Sequence, residues 1–192
     1  MKSAAFLFAA LVAAGSASAA VDLAAGAAKA ETCFACHGPG GVSQMAETPS
    51  LAGQPDGFLQ WQLVFLRGGQ RKSPVMQPMA ESLKDDDIRN LAAFFAAQKP
   101  AQADAAPADE ALMAAARRIV KANRCASCHK DDFSGTQATA RLAGQREDYL
   151  LKTLREYKSN TRHGYDASMA DVLQPIPDKD LVDLAYTVAR FK

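Results

Sequence analysis

Cys33-Phe34-Ala35-Cys36-His37 decides how the rest of this chain is read. Two cysteines three apart, with a histidine directly after them, form the attachment site of a c-type haem. Each thiol adds to one vinyl group of the porphyrin, and the histidine reaches one face of the iron as the proximal ligand. A second such motif, Cys125-Ala126-Ser127-Cys128-His129, takes up the other two of the four cysteines. A thiol-redox CxxC gives no reason for two following histidines. A zinc site would need further ligands at finger-like spacing. The expected cofactors are therefore two covalently bound haem c groups. Cys33, Cys36, Cys125 and Cys128 are the thioether sites, with His37 and His129 on the irons.

Working outward, other landmarks repeat at nearly the same offset as the motifs, which begin 92 residues apart (125 − 33). Leu51-Ala52-Gly53-Gln54 returns as Leu142-Ala143-Gly144-Gln145, and Phe58-Leu59 as Tyr149-Leu150. Met76 answers to Met169, and Asp87-Ile88 to Asp180-Leu181. Self-similarity at a fixed period is a signature of duplicated units. Lys99-Pro100-Ala101-Gln102-Ala103-Asp104-Ala105-Ala106-Pro107 carries two prolines and no apolar period, as a linker does. The expected division is a first unit over 21–100 and a second over 101–192, with the linker at about 99–108.

Residues 1–20 are set aside as a signal peptide. Lys2 precedes an apolar run from Ala4 to Ala14, followed by small residues through Ala20, which fits cleavage after Ala19 or Ala20. A membrane span needs roughly 20 apolar residues, and no stretch of the mature chain supplies them. The expected protein is exported and soluble in the periplasm. From Ala20 to Pro100 there are 7 Lys/Arg against 8 Asp/Glu, and from Ala101 there are 14 against 13. No basic block is available for nucleic acid.

Each unit reads as all-α, with about three helices. In the first unit these are Leu23 to Thr32 capped by Asp22, Asp56 to about Leu66, and a helix opened by Asp85 or Asp86. In the second they are Asp109 to Ala122, about Arg146 to Lys158, and Asp178 to Arg190. Units this small bury little apolar surface unaided, so the haem is expected to supply much of each core.

The second axial ligand decides the chemistry. An open iron binds oxygen or peroxide, whereas a filled one is largely limited to passing electrons. A soft thioether also raises the potential. In the second unit Met169 follows the haem motif, with His163 as its competitor. In the first unit Met45, Met76 and Met79 compete. Met76 lies 39 residues beyond His37, as Met169 lies 40 beyond His129, and at the offset of 93 Met79 falls opposite Val172. Pro78 is expected to keep 76–79 as an extended loop. Met113 reads as core, and Trp61 as packing or a contact to a haem edge.

Two CxxCH units, each with a Leu-Ala-Gly-Gln loop and a methionine before a final helix, resemble the soluble dihaem cytochromes of the cytochrome c4 type. The resemblance covers nearly the whole mature chain. It implies two class I cytochrome c folds related by an approximate two-fold axis, with the haems facing each other near the interface. It implies His37 with Met76 and His129 with Met169 as axial pairs. It also implies a non-enzymatic electron carrier between redox proteins, with a donor such as a quinol–cytochrome c reductase and an acceptor such as a terminal oxidase. The other readings are a dihaem subunit of a periplasmic dehydrogenase, such as flavocytochrome c sulfide dehydrogenase, and a dihaem peroxidase. Two details are expected to differ between the units. Gly38-Pro39-Gly40-Gly41 offers the Pro39 carbonyl to the His37 ring, while Lys130-Asp131-Asp132-Phe133 is expected to turn differently.

Overall fold

A computed structural model describes residues 20–102, 108–162 and 167–191. Among these residues the secondary structure is helical, with no strand beyond a single Thr136–Thr139 bridge. Helix α1 (Leu23–Ala30) leads through a 3-10 turn into α2 (Phe34–His37), which carries the first haem motif. Then come α3 (Asp56–Arg67), α4 (Met76–Glu81) and α5 (Asp85–Ala96). The second half repeats the order with α6 (Glu110–Ala122), α7 (Ala126–His129), α8 (Glu147–Lys158), α9 (Ser168–Leu173) and α10 (Asp178–Ala189).

Local chemistry sets the helix starts. Asp22 Oδ1 accepts from the amide of Ala25 at 2.9 Å, and Asp109 Oδ1 accepts from Ala111 and Leu112 at 2.9 and 3.1 Å. Each cap satisfies amides that have no partner within the helix. The short helices α4 and α9 were not expected from periodicity, since six residues hold too little pattern. The expected extended loop at 76–79 is overturned by α4. Pro78 is its third residue, where the helix asks for no amide donor and tolerates a fixed φ.

In each half the first long helix packs across the last, α1 on α5 and α6 on α10. Helices α3 and α8 lie against the same last helices, and α4 and α9 lean on α3 and α8. In the first half Leu59, Leu91, Ala92 and Phe95 form the core with Ala30. The second half divides its core. One part gathers around Phe133, Leu150 and Val188, and the other around Ala116, Leu173, Ile176 and Leu181. Met113 is buried at 7 % exposure, as expected.

The turn after each motif does not differ between halves as expected. Gly38 sits at φ 75, ψ 164 and Lys130 at φ 65, ψ 165. Gly41 and Phe133 are both at positive φ, and each donates its amide back to the residue three before, at 2.9 and 3.2 Å. The chain path therefore overrides the residue type, although a non-glycine residue at positive φ costs about 1–3 kcal/mol. Phe133 is 1 % exposed and meets the Phe191 ring edge-on at 4.6 Å between centroids. That burial offsets the strain.

The α1–α5 crossing depends on Gly26. A Cβ there would lie 2.3 Å from the Asn90 carbonyl oxygen, a backbone atom held within α5. Gly26→Ala is expected to destabilise the first half by about 1–3 kcal/mol through overpacking. Denaturant unfolding of the haem-loaded protein, followed at each haem, should show this loss with little change in the second half.

Candidate haem sites and the junction between the halves

The two motif histidines are the most informative atoms in the molecule. His37 and His129 are 5 % and 7 % exposed. His37 Nδ1 lies 2.8 Å from the Pro49 carbonyl oxygen, and His129 Nδ1 lies 2.9 Å from that of Ala140. A carbonyl only accepts, so Nδ1 is the protonated nitrogen in both rings. Nε2 then carries the lone pair. In His129 that Nε2 is buried with no hydrogen-bond partner, which costs free energy unless another acceptor of the lone pair is present. Burial lowers the pKa of both imidazoles against the opposing effect of the carbonyl bonds, which keeps them neutral. A neutral imidazole fixed at Nδ1 and free at Nε2 is the form that binds a metal.

The carbonyl that holds His37 is thus Pro49, not Pro39 as the glycine-rich turn suggested. Pro39 instead accepts the amide of Val42 in its own turn. The equivalence of Pro49 and Ala140 was legible only as an offset of 91, with no common side chain to mark it.

Cys33 and Cys125 stand one helical turn before their histidines, and Cys36 and Cys128 directly precede them. Cys33, Cys36 and Cys125 are half-buried and Cys128 is exposed, and none of the four is in a disulfide. Burial raises the Cys33 and Cys125 thiols above the ordinary value. A redox-active CxxC lowers one thiol instead. Among the described residues no group of three His, Cys, Asp or Glu side chains gathers to hold a bare metal ion. The donor set fits a porphyrin-borne iron, with two thiols for the vinyl groups and one lone pair for the iron.

Met76 and Met169 occupy equivalent places at the starts of α4 and α9. Both are half-buried, and Met169 packs against the Leu173 cluster. Met79 and Met45 are 48 % and 47 % exposed. Trp61 is 39 % exposed and lies tilted on Phe65 at 5.6 Å. His163 lies outside the described residues.

The Leu-Ala-Gly-Gln loops dock each haem motif onto its last helix and onto the other half. Gly53 donates its amide to Phe95 O, and Gly144 donates to Ala189 O, at 2.9 and 3.1 Å. Gln54 then reaches across. Its Nε2 donates to Arg141 O at 2.8 Å, and its Oε1 accepts from the Arg141 amide at 3.0 Å. Gln145 does the same to Ser50, donating to its carbonyl and accepting from its amide, both at 2.8 Å. The reciprocity relates the halves by an approximate two-fold axis. Sequence reasoning found these glutamines as markers of the repeat and missed that they form the junction.

Arg71 and Arg162, also 91 apart, converge at the same junction. Each donates to the Tyr149 hydroxyl, at 3.4 and 3.2 Å. The position equivalent to Tyr149 is Phe58, so the junction is asymmetric here. Burial opposes both charges and lowers the Arg71 pKa, while Tyr149 and Tyr157 hold that of Arg162 above its ordinary value.

Two haem-binding helical units joined in this way define a dihaem c-type cytochrome. A model of cytochrome c oxidase, cbb3-type, subunit III matches residues 20–95, and a cytochrome c model matches 113–186. The chain is 32 % identical over 188 residues to cytochrome c4 of Azotobacter vinelandii, covering 89 % of this chain and 90 % of that one. The crystal structure of reduced recombinant cytochrome c4 from Pseudomonas stutzeri superposes with a TM-score of 0.82 at 28 % identity, over 90 % of this chain and all of that one. A thiosulfate dehydrogenase electron acceptor of Thiomonas intermedia is 30 % identical over 145 residues, covering 71 % of this chain and 67 % of that protein. The chain belongs to the cytochrome c4 family. It is a dihaem electron-transfer cytochrome with two tandem cytochrome c domains and two covalently bound haem c groups.

Burial by itself raises the Tyr149 phenol, yet the charges of Arg162 and Arg71 outweigh it and bring the pKa down to about 8. A free tyrosine titrates near ~10. Below about 8 both states of the protein keep the proton, and the group adds nothing to the pH dependence of stability. As pH rises from there toward ~10 the folded state loses the proton first, so stability gains. Tyr149→Phe is expected to remove that gain, measured as unfolding midpoints of wild type and variant between pH 7 and about 10.

Proposed function

We propose that this chain carries single electrons through the periplasm between respiratory proteins. In this reading residues 1–20 direct export and are removed, and 21–100 and 101–192 are the two haem units, joined by the linker at about 99–108. Cys33 and Cys36 hold one haem, and Cys125 and Cys128 the other. His37 with Met76, and His129 with Met169, would hold the two irons. Each haem, when bound, supplies an iron that holds or releases one electron.

The observation that carries the reading is the same in both halves. A buried histidine fixed at Nδ1 is accompanied by a half-buried methionine at the start of the short helix before the last one. A nitrogen and a sulfur donor in each half would saturate the iron they hold, which favours a carrier over a peroxidase. The thioether favours the reduced state. Among the described residues no helix is long and apolar enough to cross a membrane. The electron source is a quinol–cytochrome c reductase or its like, and the acceptor a terminal oxidase. A second reading, a dedicated partner of a periplasmic dehydrogenase, is favoured by the likeness to a protein named as the electron acceptor of thiosulfate dehydrogenase. Co-purification with a dehydrogenase separates the two.

Replacing Met76 with alanine is expected to abolish the methionine-to-iron charge-transfer band of one ferric haem and to lower that haem's potential. Met79→Ala should leave both bands in place, because Met79 is exposed at 48 % and falls opposite Val172, which has no donor atom. The opposite pattern would assign the ligand to Met79. In the reduced wild-type protein, carbon monoxide should bind neither haem readily at neutral pH. Rapid stoichiometric binding would return the peroxidase reading.

A further inference from the structure

Two peptide groups in this molecule are engaged at both ends, and each joins a histidine of one half to a glutamine of the other. The Pro49–Ser50 peptide accepts from His37 Nδ1 at its carbonyl, at 2.8 Å, and donates its N–H to Gln145 Oε1, at 2.8 Å. The Ala140–Arg141 peptide accepts from His129 Nδ1 at 2.9 Å and donates to Gln54 Oε1 at 3.0 Å. The carboxamides cannot be turned over. Gln145 Nε2 donates to Ser50 O and Gln54 Nε2 donates to Arg141 O, both at 2.8 Å, so a flip would set oxygen against oxygen. Ser50 and Gln145 are 4 % and 6 % exposed, so water does not compete with the bonds between them, and Gln54 is 5 % exposed.

We infer that Gln145 and Gln54 are positioning residues that tune, crosswise, the iron-binding histidine of the opposite half: Gln145 acts on His37, and Gln54 acts on His129. The inference rests on the reading that both histidines bind iron. An amide whose N–H is drawn toward an acceptor places more negative charge on its own carbonyl oxygen. Hydrogen bonds in such a chain strengthen one another by roughly 10–30 % each. A stronger acceptor at Nδ1–H makes the imidazole a more basic ligand. A more basic ligand favours ferric iron, so each glutamine lowers the potential of the haem it does not share a domain with. The same bonds tie the two sites together, since any shift at the junction reaches both histidines through one peptide each.

The test is a spectroelectrochemical titration of the full-length, haem-loaded protein, with each haem assigned by the NMR signals of its axial ligands. Gln145→Met keeps the side-chain volume and removes the acceptor. The first-half haem should then rise by about two- to threefold in its redox equilibrium constant, or roughly 20–30 mV at 59 mV per tenfold for one electron. The second-half haem should move less, and the His37 Nδ1 proton should exchange faster. Gln54→Met should give the mirror image. Gln145→Leu, which also removes the acceptor, should move the first-half haem in the same direction, and serves if the methionine variant does not fold. Lys152→Ala breaks the junction ion pair to Glu47 without touching either peptide, and should shift neither haem. Equal shifts at both haems, shifts confined to the mutated half, or none would overturn the inference and leave the glutamines as junction contacts only. Loss of histidine ligation in the unmutated protein would instead sink the axial-ligand reading, which makes the two failures distinguishable.

Discussion

The hydrogen bond from each buried histidine to a loop carbonyl is the constraint around which both halves are built. A histidine buried without a partner at Nδ1 would lose a donor's hydration and take either tautomer. Bringing Pro49 or Ala140 to that nitrogen requires the chain to reverse directly after the motif, and this sets the positive φ of Gly38 and Lys130. It also requires the following loop to be pinned. Leu51 and Ala52 donate to Gly41 O, and Leu142 and Ala143 to Phe133 O. Gly53 and Gly144 then fasten the loop to the end of the last helix. Four elements of each half are thus held by backbone bonds around one imidazole.

The halves obey the same geometry with different residues, and the differences show where backbone prevails over side chain. Glycines make the first turn without strain. Lysine and phenylalanine make the second, at a steric cost that Phe133 recovers by filling the space against Phe191. The core of the second half is correspondingly divided around Phe133 and Leu181, whereas the first half gathers around Phe95 and Leu91. At the junction the sole hydroxyl among the equivalent pair belongs to Tyr149, so Arg71 reaches across to it while Arg162 meets it from its own half. A duplicated chain joined by reciprocal glutamines therefore still has two halves with unlike cores and an asymmetric junction.

The sequence by itself determined a great deal. The CxxCH pairs define a covalent chemistry with few alternatives. The offset of 91 to 93 between landmarks defines the duplication, and periodicity with an Asp at or beside five of the six starts places the beginnings of the six long helices within a residue or so. These are local properties, or comparisons of the chain with itself. The tertiary structure alone decided the rest. It placed Pro49 rather than Pro39 on His37, made a helix of the Met76 segment, gave Lys130 the conformation of Gly38, and brought Gln54 and Gln145 to the backbone of the opposite half. The physical reason is common to all four. Backbone carbonyls and amides carry no residue signature, six-residue helices carry too little period, and a positive φ at a non-glycine residue is imposed by contacts distant in sequence.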